Sequence, residues 1–294
     1  CSEVGASVNG VRRLRCTLLS CLTFLALGCG GQAPVLSEGE PGGDGSAAEP
    51  VEVAAAPAEE AAHTAPAAER AMVLVAEGTF IMGWDAGKSD EQPPHAVFLD
   101  AFYIDQFEVM VQQYRSCVEA GGCEDPIYAP ACNWDGFADN THPINCVNRQ
   151  NARDYCAWAG LRLPTEAEWE KAARGDDRRI YPWGDELLGD EANFRIGLGT
   201  ATEPVGNHPN GISFSGAHDM AGNVWEWVED WYAEDYYVRS PRKRPRGPEF
   251  GEFGVLRGGS WWFEAGALPA AHRVAYHPAL TDIDIGFRCA RDVK

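Results

Sequence analysis

The sequence predicts an α+β domain low in regular structure. Three observations carry the prediction: two central helices, a long aromatic-rich irregular region after them, and strand-like segments late in the chain. Residues 77–83 read as an opening strand that ends on a glycine turn. Residues 97–105 read as a second strand with apolar residues alternating in part. From about 109 to 119 the spacing is helical, with Val111, Tyr114 and Val118 on one side. Residues 150–159 give the next helix, closed by Gly160. The third begins at Thr165, whose hydroxyl suits an N-cap, and Glu168 three residues later completes a capping box. Glu166 and Glu168 in its first turn favour the helix dipole, and Gly175 suits a left-handed stop. Beyond it lie turns: Tyr181-Pro182-Trp183-Gly184, Pro204-Val205-Gly206 and Pro209-Asn210-Gly211. No internal repeat is visible.

The domain is expected over residues 72–294. Residues 30–71, built mostly of Ala, Pro, Glu and Gly, bury too little apolar surface to offset the entropy of ordering and are expected to form a disordered linker. Such a coil has an r.m.s. span of roughly 35 Å. In residues 1–29, Arg12, Arg13 and Arg15 precede a short apolar run that ends Ala26-Leu27-Gly28-Cys29. This is the pattern of a lipoprotein signal peptide with Cys29 as the lipidated residue; a plain secretion signal is the alternative. Both predict an extracytoplasmic domain, and the first a membrane anchor through lipid alone.

The formal net charge of −20 argues against nucleic acid as a partner, because neutralising phosphate supplies most of that affinity. Arg239, Arg242, Lys243, Arg244 and Arg246 form one basic patch, expected to be a solvated, proline-stiffened loop. Six cysteines fall in the domain: Cys117, Cys123, Cys132, Cys146, Cys156 and Cys289. An even number in an exported chain suggests three disulfides, whose connectivity sequence alone leaves open. The first four match no common zinc spacing, and there is no Cys-x-x-Cys pair for redox exchange. No two of the seven histidines have helical i, i+4 ligand spacing. A nucleophile elbow, a phosphate loop and a dinucleotide fingerprint are all absent.

Five segments occur in a recognisable order: Arg162-Leu163-Pro164-Thr165-Glu166-Ala167-Glu168-Trp169-Glu170, Pro182-Trp183-Gly184, Gly222-Asn223-Val224-Trp225-Glu226-Trp227, Leu256-Arg257-Gly258-Gly259-Ser260-Trp261 and Gly286-Phe287-Arg288-Cys289-Ala290. Through them the chain resembles the formylglycine-generating enzymes, or sulfatase-modifying factors, over nearly all of residues 72–294. The resemblance implies a C-type-lectin-like fold with high loop content. It implies a disulfide between Cys156 and Cys289, and the loss of a second family disulfide at Ala173 and Arg273. Cys117 with Cys123, and Cys132 with Cys146, are then the expected remaining pairs.

The family's two reactive cysteines follow the Gly-Gly-Ser turn; here those positions are Phe263 and Leu268. Without the thiols no copper is expected, and the family's cysteine-to-formylglycine oxidation is not expected by its usual route. The resemblance implies a structural calcium held by Asp219 and Glu226 with the carbonyls of Gly222 and Val224, a hard-oxygen set suited to that ion. The rival reading pairs Glu226 with an arginine near the aromatic core. A second family calcium site would use Asn193 and Phe194, but residues 195–201 carry none of the carboxylates it needs. Arg257, Ser260, Trp261, Trp262 and Phe263 are expected around the family groove. The expectation is a non-catalytic binding or scaffold module whose groove takes a peptide or protein. The alternatives are an oxidative maturation enzyme with another centre, and a calcium-dependent lectin-like sugar binder.

Overall fold

The computed structural model describes residues 70–135, 139–194 and 201–294. The expected signal region with Cys29, nearly all of the expected linker and the loop 195–200 lie outside the described residues. The chain runs through β1 (Met72–Val75), β2 (Gly78–Met82), β3 (His95–Leu99), β4 (Phe102–Asp105), α1 (Val111–Glu119), α2 (Arg149–Trp158) and α3 (Glu166–Arg174). It continues through β5 (Trp225–Trp231), α4 (Tyr236–Arg239), β6 (Gly254–Arg257), β7 (Arg273–Tyr276), β8 (Ile285–Phe287) and β9 (Ala290–Asp292). Three small sheets result, ordered β1-β4-β9, β2-β3 and β7-β6-β5-β8. Only the β5–β8 pairing among them is parallel.

Residues 97–105, expected as one strand, are two strands in different sheets. The buried residues are Val97 and Leu99, then Phe102 and Ile104. The period of two slips between Leu99 and Phe102, and such a slip turns every later side chain to the opposite face, so one strand cannot bury both pairs. The chain breaks at Asp100-Ala101; β3 pairs with β2, and β4 lies between β1 and β9.

β5 sits between two apolar clusters. Val228 packs into one with Phe80, Ile104 and Trp169; Trp225 and Trp227 pack into the other with Tyr114, Tyr155 and Phe287. A strand covered on both faces has no reason to alternate, which is why Trp225-Glu226-Trp227-Val228 is buried throughout.

α3 carries the predicted capping box, with the Thr165 side chain accepting from the Glu168 amide and the Glu168 side chain accepting from the Thr165 amide. Every residue of α3 is buried, although five of the nine are charged. Each charge has a partner, which for Glu168 is the partly exposed Arg162. Glu166 takes a forked pair of bonds from Arg273, and Glu170 accepts from Arg174 and Arg257. Lys171 donates to the carbonyls of Ala76 and Gly78. Arg273, at the position of the missing family disulfide, is thus held by Glu166.

Disulfides join Cys117 to Cys123, Cys132 to Cys146 and Cys156 to Cys289. The last ties α2 to the link between β8 and β9 across 133 residues. The basic segment differs from the expected solvated loop, because its backbone is pinned along β3. The Phe98 amide donates to the Arg242 carbonyl and the Arg244 amide to the Phe98 carbonyl, while the cationic side chains stay exposed.

Candidate functional site

The Gly-Gly-Ser turn follows β6 and passes through a narrow gap. Gly258 and Gly259 have φ of 95° and 79°. A Cβ on Gly259 would stand 2.8 Å from the Ala267 carbonyl oxygen, so only glycine lets these two stretches lie together. Ser260 is fully buried, donates to Asp284 Oδ2 at 2.5 Å and accepts from the Trp262 amide at 3.3 Å. Burial pushes the Asp284 carboxyl up to about 6, against the lowering effect of the Ser260 hydroxyl.

The structure separates the expected groove residues into a buried frame and an exposed face. Arg257 is fully buried, binding Glu170 and donating to the carbonyls of Ala270, Ala271 and His272. That fan of bonds fixes the turn after Leu268. Trp261 is also buried, its amide donating to the Asn223 carbonyl. Trp262 and Phe263 are 51% and 44% exposed. Phe263 stands edge-on to Trp225 with centroids 5.5 Å apart. Leu268 has no exposure and packs with Ala192, Phe194 and Ala221.

On the other side of β5 the expected metal residues meet a group that the sequence did not single out. In the loop before β5, Asp219, Gly222 and Asn223 have positive φ, at 55°, 81° and 58°. This winding brings Gly222 so close to Asn193 that an added Cβ would lie 2.4 Å from its carbonyl. Asp219 accepts from the Gly206 amide at 2.6 Å. Glu226 takes both forks of Arg288 at 2.7 Å and the Trp169 indole N–H at 2.8 Å. The pairing of Glu226 with an arginine near the aromatic core is therefore present. The missed group is Glu108, which accepts from the Val224 amide and the Asn223 side chain. Burial, then the charges of Asp219 and Glu226, hold its carboxyl well above the usual range. Glu108 precedes α1 in no recognisable motif, and nothing in the sequence signals it.

Three buried carboxylates thus share one Arg288. Among the described residues no three His, Cys, Asp or Glu side chains converge as a metal cage. The donors nevertheless suit a hard divalent cation: carboxylate oxygens, main-chain carbonyls of Gly222 and Val224, and surplus buried negative charge. At the second expected site, Asn193 gives its side-chain N–H to the Ala201 carbonyl and to Asn223, and its carbonyl to the Asn223 amide. Phe194 lies in the cluster around Leu268.

Sequence reading also passed over a buried pair. His272, weighed only as a metal ligand, places Nδ1 2.7 Å from Glu91 Oε1. Its ring lies 5.8 Å from that of Trp225.

Small sheets, long loops and buried arginine forks that hold those loops in place define a C-type-lectin-like scaffold. The model of the sulfatase-modifying factor enzyme 1-like domain matches residues 58–293, and the chain belongs to that family. Over 242 residues it is 37% identical to serine/threonine-protein kinase pkn1 of Chlamydia caviae, covering 76% of this chain and 38% of the kinase. The formylglycine-generating enzyme of Thermomonospora curvata is 33% identical over 288 residues, covering 76% of this chain and 94% of that enzyme. Among solved structures, Treponema denticola variable protein 1 superposes with a TM-score of 0.66 at 25% identity, covering 79% of this chain and 98% of that one. The family therefore holds oxidative enzymes and kinase-associated members alike.

Proposed function

We propose that this chain is a non-catalytic member of its family, an exported binding or scaffold module that uses the Trp262–Phe263 face to hold a peptide or protein. One observation carries the reading: the positions of both reactive cysteines are apolar, one a half-exposed phenyl ring on Trp225 and the other an aliphatic side chain closed into the core. Neither atom set supplies a thiolate to ligate copper or to exchange with a substrate cysteine. An exposed aromatic pair on a rigid turn is well suited to contact, because it offers large area at little cost in side-chain entropy. Asp219 with the Gly222 and Val224 carbonyls would hold a calcium ion beside Glu226, and that ion would offset the buried carboxylate charge without taking part in chemistry.

The test is mass spectrometry of a peptide bearing the sulfatase motif Cys-x-Pro-x-Arg, incubated with copper-loaded protein, oxygen and a thiol reductant. No conversion is expected, while an active formylglycine-generating enzyme converts the same peptide. Formation of formylglycine would overturn the non-catalytic reading.

A further inference from the structure

Near Trp225, a cleft of about 240 Å³ is lined by Trp84, Lys88, Glu91, Gly266, Pro269 and His272 among others. His272 and Glu91 are both buried, and Glu91 Oε1 holds His272 Nδ1 at 2.7 Å. That contact fixes a proton on Nδ1 and directs Nε2 to the cleft. There the Lys88 ammonium lies 3.5 Å from Nε2. The Glu91 charge is thus engaged by the imidazole, and Lys88 stands exposed at the mouth of the cleft.

We propose that this cleft binds a peptide carboxylate, with Lys88 Nζ as its donor and His272 Nε2 accepting from the same ammonium to hold it in place. The inference rests on the reading of Trp262 and Phe263 as a peptide-contact face, and it names the chemical group taken beside that face. An ammonium has three N–H donors, so Lys88 can keep its bond to His272 Nε2 and still donate to a carboxylate, and charge-assisted bonds of this kind are among the stronger ones. Trp84 and Pro269 give the cleft apolar walls. Ring centroids run 5.8 Å from His272 to Trp225 and 5.5 Å from Trp225 to Phe263. An extended peptide covers that path in about three residues. The ligand class is therefore a peptide with a carboxylate within about three residues of an apolar side chain.

Two synthetic peptides test this on the intact protein: N-acetyl-Trp-Gly-Gly with a free C-terminal carboxylate, and its C-terminal amide. The acid is expected to bind about tenfold more tightly than the amide. The preference should vanish in Lys88→Met, whereas Phe263→Ala should weaken both peptides alike. Equal affinity for acid and amide in the wild type overturns the carboxylate site and leaves the aromatic face standing. If neither peptide binds, the aromatic face falls, and acetate titrated against the His272 ring resonances decides the cleft. A shift that is lost in Lys88→Met sustains it; no shift overturns it. A larger response to inorganic phosphate than to acetate overturns the assignment to carboxylate.

Discussion

Phe263 and Leu268 sit in one short turn and have opposite surroundings. Their identities were legible in the sequence, but their exposure was not, because it depends on which distant residues arrive to cover them: Ala192, Phe194 and Ala221 enclose Leu268, whereas Phe263 stays half-exposed beside Trp225. Phe263→Ala is expected to change stability by no more than about 0.5 kcal/mol, and Leu268→Ala to cost about 2–5 kcal/mol. Urea denaturation of the two variants measures the contrast. Asp284 makes a second test. Burial raises its carboxyl to about 6 in the folded state, so the folded chain keeps a proton that the unfolded chain has released. The resulting stabilisation is complete below the ordinary carboxylate range and is lost as pH rises through about 6. Asp284→Asn can still accept the Ser260 bond and no longer ionises. It should stabilise the protein at pH 8 by on the order of 2 kcal/mol relative to wild type, with the advantage shrinking toward pH 4, as read from denaturant midpoints at the two values.

At the scale of elements, local signals gave the helices well, and pairing decided the strands. The capping box at Thr165 is made within four residues, so it can be read from four letters; Thr165→Ala should cost about 1 kcal/mol in a thermal or urea melt. That α3 would be buried on every side was not legible. Its Glu and Lys residues look solvent-facing until Arg257, Arg273 and the carbonyls after β1 are brought up to them. The division of residues 97–105 was present in the sequence as a slip of phase at Asp100-Ala101. The pairing of the basic segment with β3 was not, since two prolines and five cations give no strand pattern.

For the whole molecule, the long-range ties include the disulfide between Cys156 and Cys289 and the fork from Arg288 to Glu226. Closing a loop of 133 residues restricts the unfolded chain, a contribution of about 4–5 kcal/mol in the chain-entropy account. The carboxylates Glu108, Asp219 and Glu226 came from two separate stretches, and only Asp219 and Glu226 were singled out in the sequence. Because they share a single arginine, a divalent cation should stabilise the fold. Calcium at about a hundred times its dissociation constant would add about 2.7 kcal/mol by linkage. Differential scanning calorimetry should show a higher melting temperature with calcium, reversal by chelator and no response in Asp219→Ala. An unchanged melting temperature in the wild type would remove calcium from the account.

The strands β8 and β9 occupy the last stretch of the chain, yet β8 lies alongside β5, β9 closes the sheet begun by β1 and β4, and Cys289 between them bonds to α2. Strands β4 and β5 are therefore each left with an open edge, and α2 with an unpaired thiol at Cys156, until residues 285–292 are present. A nascent chain cannot complete its core while that stretch is still in the ribosome, because the contacts that finish it join the most distant parts of the sequence. The burden falls on whatever shields those open edges during synthesis. A deletion of residues 285–292 would leave both sheets unfinished, a far larger loss than so short a stretch suggests.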